Sequence, residues 1–224
     1  PTFSTKNVLS KNLIDQTLLE QVLDFTPETL SNDQKLEIAT ALLQGKGVPI
    51  NAKLGLRILE EMAEADVSEA FSVLVNHYFN KAPQKAYFYA MKLGKANQRA
   101  STSFLDQLEA KISFDKVLKL QSRNPINRLD DQSLLSSVHF IEQAKSYYRG
   151  LGAERSYLSS YYWASLASAS GARQGKMILS NLHNLSRNLS ETEFEIWSNA
   201  IATVEKLTLD DWLGFKIAER INLE

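Results

Sequence analysis

Apolar residues recur at i, i+3 and i+4 along most of the chain, which is the period of an amphipathic helix rather than the alternation of a strand. Val8, Leu9, Leu13, Ile14, Leu18, Leu19, Val22 and Leu23 form a first such stripe. Thr26-Pro27-Glu28 follows as a cap with proline at the first helical position, where its missing N–H costs no hydrogen bond. Near the other end, Ser190-Glu191-Thr192-Glu193 has capping-box spacing ahead of Phe194, Ile196 and Trp197. Thr208 is placed to cap a separate last helix with Leu209, Trp212, Leu213, Ile217 and Ala218 on its apolar face. No β-branched alternating run occurs, so the pattern predicts an all-α chain of about eleven or twelve helices.

Short helices joined by short connections call for a search for internal repeats. Three segments align: Ile58–Asp66, Phe88–Ala96 and Trp163–Gly171. Each opens on bulky residues, reaches a small or apolar pair and ends in a turn, with a small residue four positions later at Ala70, Ala100 and Gly175. Upstream of the first and third, Leu42-Leu43-Gln44-Gly45-Lys46-Gly47-Val48 and Tyr147-Tyr148-Arg149-Gly150-Leu151-Gly152-Ala153 both close a helix on Gly-x-Gly. The first glycine of each suits the left-handed position after a helix, and the second permits a tight reversal.

These motifs resemble the Sel1-like repeat, a relative of the tetratricopeptide repeat. Its helix pairs end in Tyr-x-x-Gly-x-Gly-Val and Trp-Tyr-x-x-Ala-Ala-x-x-Gly. Two faithful copies span about 35–70 and 140–175 and bracket a degenerate one at 70–100. The middle copy replaces the glycine turn with Phe79-Asn80-Lys81-Ala82-Pro83, Asn51 stands for the usual aspartate, and Lys35 stands for a small alanine. Ala39, Leu74 and Ala144 fall where the family has glycine. Ser101 to Gln132 departs from the pattern and contains the break Asn124-Pro125. The resemblance implies an α-α superhelix, because one helix pair cannot bury its stripe alone and successive pairs share a core. The implied layout is a single domain over 1–224. It comprises N-terminal capping helices at 1–34, two repeats at 35–100, a divergent pair at 101–135, a third repeat at 136–187 and C-terminal capping helices at 188–224.

Composition narrows the function classes. The 224 residues are 44% hydrophobic and 23% charged, with 25 Lys and Arg against 26 Asp and Glu, so a folded domain is expected and a nucleic-acid partner is not. Cysteine is absent, which removes disulfides and thiolate chemistry. No apolar run approaches the about 20 residues a membrane helix needs. The chain begins at Pro1 rather than Met, and a processed protein or excised fragment is the expectation.

Candidate chemistry is sparse. His77 takes the position of Leu42 and Tyr147 in the repeat, His139 precedes an amphipathic run, and His183 sits in a polar helix end. No two share ligand spacing, so neither metal nor cofactor is expected. Glu60, Glu61, Glu64 and Asp66 alternate with Leu59, Met62 and Ala63, which places them on a solvated face rather than in an acid–base site. The sequons at Asn184 and Asn188 are taken as chance matches, in keeping with the bacterial character of the repeat type. Among Tyr157, Tyr161, Tyr162 and Trp163, the tryptophan fills the family's core position. The two neighbouring tyrosines are not expected to face inward together, so at least one hydroxyl should reach the surface.

The resemblance implies that the first helices of the pairs line a concave face that holds partners. Lys145, Tyr148 and Arg149 on one such helix, Asn76 and Asn80 on another, and Tyr161 are the candidate protein-contacting residues. They would offer hydrogen bonds and positive charge to a peptide backbone or an acidic segment. The expected function is a non-catalytic bacterial adaptor binding a protein or peptide, with a periplasmic or cell-envelope location favoured over the cytoplasm. The alternative is a factor of cell-envelope polysaccharide or peptidoglycan assembly, with Tyr157, Tyr161 and Tyr162 stacking on sugars.

Overall fold

The computed structural model describes residues 30–96, 99–129 and 136–221. The stripe from Val8 to Leu23 and the Thr26-Pro27-Glu28 cap lie outside the described residues. Ten α-helices and one short 3₁₀ turn make up the regular structure among the described residues. The chain therefore belongs to the all-α class, as its periodicity predicts. Packing divides it into two compact units, one ending at Tyr78 and the other beginning at Phe79.

In the first unit, α1 (Asn32–Gln44), α2 (Ala52–Glu64) and α3 (Ser68–Tyr78) follow one another. Ser31 and Gln34 form a capping box at the start of α1, satisfying two of the N–H groups that a helix start leaves without partners. The helix closes on Gly45 at φ 69°, whose N–H returns 2.7 Å to the Ala41 carbonyl. Asn51, in the place of the family's aspartate, caps α2 by accepting from the Leu54 N–H at 3.1 Å. Gly55 explains how closely α1 and α2 approach: a Cβ there would stand 2.8 Å from the Ala39 carbonyl oxygen. Ile38, Ala41, Leu42 and Val48 form the core beneath them. Glu61, Glu64 and Asp66 are exposed, and half-buried Glu60 accepts from the Tyr78 hydroxyl at 2.9 Å. The acidic group is a helix surface, as its spacing predicts.

The second unit contains α4 (Pro83–Lys95), α5 (Ala100–Glu109), α6 (Phe114–Gln121), α7 (Ser137–Arg149), α8 (Tyr157–Ala169), α9 (Arg173–Leu185) and α10 (Glu191–Ile221). Helix α8 is its centre, packed against α7, α9 and α10. That placement corrects the expectation for the aromatic group. Tyr157, Tyr161, Tyr162 and Trp163 are all buried, Tyr161 at 4% exposure and Tyr162 at 0%. A helix covered on three sides has no solvent face on which to present a tyrosine. The hydroxyls instead find carboxylates: Tyr161 donates to Glu205 at 2.7 Å and Tyr162 to Asp211 at 2.6 Å.

Those acids lie on α10, which runs unbroken from Glu191 to Ile221, so the separate last helix expected at Thr208 does not exist. Thr208 is buried and its hydroxyl donates 2.7 Å to the Val204 carbonyl, one turn back. That bond satisfies the group that would otherwise cap a new start. The capping box at Ser190 and Glu193 forms as predicted. Asn124-Pro125 breaks the helical run between α6 and α7.

Candidate functional site

The second glycine turn does more than end α7. Gly150 at φ 64° and Gly152 at φ 79° adopt left-handed backbone conformations, which glycine enters without a Cβ clash. The Gly152 N–H donates 2.9 Å to the Gly94 carbonyl near the end of α4. A Cβ on Gly94 would lie 2.1 Å from the Gly150 oxygen, so the two segments meet backbone to backbone. Ser101 on α5 also donates to the Gly150 carbonyl, at 3.1 Å. This contact fixes the loop from Leu151 to Ser156 against α4 and sets Arg155 into the interior.

Arg155 is 3% exposed. Its Nη1 lies 2.7 Å from Asp106 and 3.1 Å from Glu109, and its Nη2 donates to the Arg149 carbonyl at 3.1 Å. Glu109 also accepts from Tyr87 at 2.6 Å and from Tyr157 at 2.5 Å. Gln121 donates 2.8 Å to the Tyr87 oxygen and accepts from the Tyr157 N–H at 2.9 Å. Side chains from α4, α5, α6, α8 and the glycine loop thus share one network around the buried Arg155 guanidinium. Burial, then the neighbouring Glu109 charge, pushes the Tyr157 phenol far above its ordinary value, and the same two causes act on Tyr87. Burial alone would lower Arg155, but Glu109 leads the charges that hold it cationic. A buried ion left without its partner costs several kcal/mol, roughly 3–5 in well-enclosed cases, so these groups act together as a structural brace.

Above this brace lies a cleft of about 530 Å³, whose walls include Lys92, Lys95, Asn124, Asn127, Glu154 and Ser159, with Arg155 at its floor. Lys92 pairs with Glu154 at 2.9 Å. Asn124 donates to the other Glu154 oxygen at 3.0 Å. Ser156 caps α8 by accepting from the Ser159 N–H at 3.2 Å, and both residues of this helix start line the cleft. The arrangement presents hydrogen-bond donors and three cationic side chains, two of them paired with carboxylates. Among the described residues, no group of three metal-ligating side chains converges, and no helix is long and apolar enough to cross a membrane.

The candidate residues chosen from sequence are distributed differently. Lys145, Tyr148 and Arg149 are brought together on α7. Lys145 donates to Gln174 at 2.8 Å, Tyr148 tilts against Tyr157 at 6.1 Å between ring centres, and Arg149 is exposed. Asn80 is exposed in the turn after α3 and accepts from Lys111 at 2.6 Å. Asn76 is exposed on α3, in the first unit. Tyr161 is enclosed, its ring edge-on to His183 at 5.7 Å. His139 meets the buried Trp163 in the same way at 5.6 Å, and His77 packs edge-on against Tyr78 at 5.0 Å, so all three histidines lie against aromatic rings. The cleft residues escaped sequence reasoning because they come from four separated segments. Only the Asn124-Pro125 break and the Gly150-x-Gly152 turn point toward them.

No protein-family model matches the sequence, and no curated protein matches it. Among solved structures, the chain is similar to a Sel1 repeat protein from Oxalobacter formigenes, with 18% identity and a TM-score of 0.35, over 84% of this chain and 44% of that one. It is also similar to a protective antigen present in uropathogenic Escherichia coli strains that displays an SLR fold, with 17% identity and a TM-score of 0.32, over 86% and 40%. The chain spans less than half the length of either protein. Likenesses at these TM-scores add no weight to the fold, which rests on the helices themselves: an all-α chain in which α1 packs on α2, α2 on α3, α4 on α5, α7 on α8 and α8 on α9.

Proposed function

We propose that the chain is a non-catalytic bacterial adaptor that binds a protein or peptide through the cleft of its second unit. The observation that carries this reading is how the polar groups are divided. The carboxylates of Asp106, Glu109, Glu205 and Asp211, the buried tyrosines and Arg155 are spent on holding helices together. The cleft, by contrast, is lined by Lys95 and Asn127, which are exposed. Donors at the mouth of a polar groove suit a peptide backbone, whose carbonyls need partners when they leave water. Lys145 and Arg149 on α7 remain candidates for a second contact. The glycan alternative loses the residues it relied on, because Tyr157, Tyr161 and Tyr162 are buried and offer no stacking face.

The test is site-specific photocrosslinking in the native host. A photoreactive phenylalanine at Asn127 should give one discrete adduct with a single protein, and the same group at exposed Asn181 on α9 should not. Equal, diffuse labelling from both positions would refute the cleft as the binding site.

A further inference from the structure

The cleft already holds one carboxylate of its own. Glu154 receives Lys92 on one oxygen and the Asn124 amide on the other, so donors from α4 and from the segment after α6 are spaced to grip a carboxylate. Lys95 lies three residues beyond Lys92 on the same helix and also lines the cleft, at the separation where side chains share a helix face. It is exposed, and no ion pair or hydrogen bond with another described residue engages its ammonium. The charge of Arg155 is matched from below by Asp106 and Glu109, and that of Lys92 by Glu154. The surplus in the cleft is therefore Lys95, with the N-terminus of α8 also among the lining residues.

We propose that the cleft takes an acidic peptide segment whose carboxylate seats between Lys92 and Lys95, with Glu154 as a built-in competitor for Lys92. This inference rests on the protein-binding reading and names its chemistry. One surplus cation suits a single carboxylate far better than nucleic acid, which gains affinity from many phosphate contacts along a basic track. The exposed amide of Asn127 supplies the neutral hydrogen bonds that a peptide backbone uses and a bare anion does not.

Fluorescence polarisation with a fluorescein-labelled hexaglutamate peptide tests the assignment, with hexaglutamine, inorganic phosphate and a decathymidine oligonucleotide as comparisons. The glutamate peptide should bind about tenfold more tightly than the glutamine peptide, the worth of about one charge-assisted hydrogen bond. Lys95→Gln should weaken it about five- to tenfold. Glu154→Gln should tighten it several-fold by releasing Lys92, a gain that a merely structural Glu154 would not produce. Far-ultraviolet circular dichroism confirms that both variants stay helical. Equal binding of the two peptides, unchanged binding in Lys95→Gln, weakened binding in Glu154→Gln, or oligonucleotide binding as tight as the glutamate peptide's would each overturn the inference. A discrete adduct at Asn127 with no discrimination between the peptides would refute the acidic segment while leaving the protein-binding reading in place.

Discussion

Replacing Gly94 by alanine tests the backbone contact that holds the cleft loop in place. Alanine favours a helix over glycine by about 0.8–1.0 kcal/mol, so local propensity predicts that Gly94→Ala stabilises α4. The tertiary contact predicts the reverse. The new methyl would sit 2.1 Å from the Gly150 carbonyl oxygen, well inside the 3.0 Å that real Cβ atoms respect, and its neighbour is backbone that cannot rotate away. Relief requires the loop to shift, which breaks the Gly152 N–H bond to Gly94 at a cost of about 1 kcal/mol. Overpacking adds about 1–3 kcal/mol. The net expectation is a loss of about 1–3 kcal/mol. Gly214 on α10 supplies a matched control in the same unit, because a Cβ there meets nothing within 4 Å. Gly214→Ala should therefore gain about 0.5–1 kcal/mol. Urea unfolding followed by helical circular dichroism measures both shifts. Opposite signs support the contact, whereas a stabilised Gly94→Ala would refute the close approach of α4 to the glycine turn.

Two further outcomes follow from the buried network. Arg155→Met removes the cation shared by Asp106 and Glu109. Because Asp106 is largely exposed and Glu109 only partly enclosed, the loss should be about 2–3 kcal/mol, below the range for a fully buried pair. Urea midpoints check it, and a change under about 0.5 kcal/mol, the size of an ordinary surface substitution, would remove the brace. The second concerns alkaline pH. Tyr157, Tyr161 and Tyr162 all have phenols raised above the ordinary 10.0 by burial first and by their carboxylate partners second. Their folded values exceed their unfolded ones, so the neutral hydroxyls contribute stability below pH 10 that is lost as pH climbs above it. Phenolate absorbance should show exposed tyrosines titrating first and the buried set ionising only together with loss of helix; early, complete ionisation with helix intact would contradict the burial.

Much of the architecture is written locally. The capping box at Ser190 and Glu193 forms from residues three apart, and Gly45 and Gly150 end α1 and α7 in the left-handed conformation that only a missing Cβ makes cheap. The apolar period placed the helices, and Ala39, at the position where the family has glycine, lies where Gly55 approaches closely. Helix identity, turn positions and the absence of strands among the described residues were therefore legible, because each depends on neighbours within a few residues.

The tertiary structure decided what local pattern cannot carry. Periodicity allotted one face of α8 to the core, but α7, α9 and α10 enclose it from several directions, so Tyr161 and Tyr162 turn inward onto Glu205 and Asp211. Thr208 has the residue type of a cap, yet a carbonyl one turn back satisfies it and α10 continues. The cleft joins Lys95, Asn127 and Glu154 across separations of about thirty residues each. Charge and hydrogen bonding at that site follow from which helices meet, and long-range packing alone sets which helices meet.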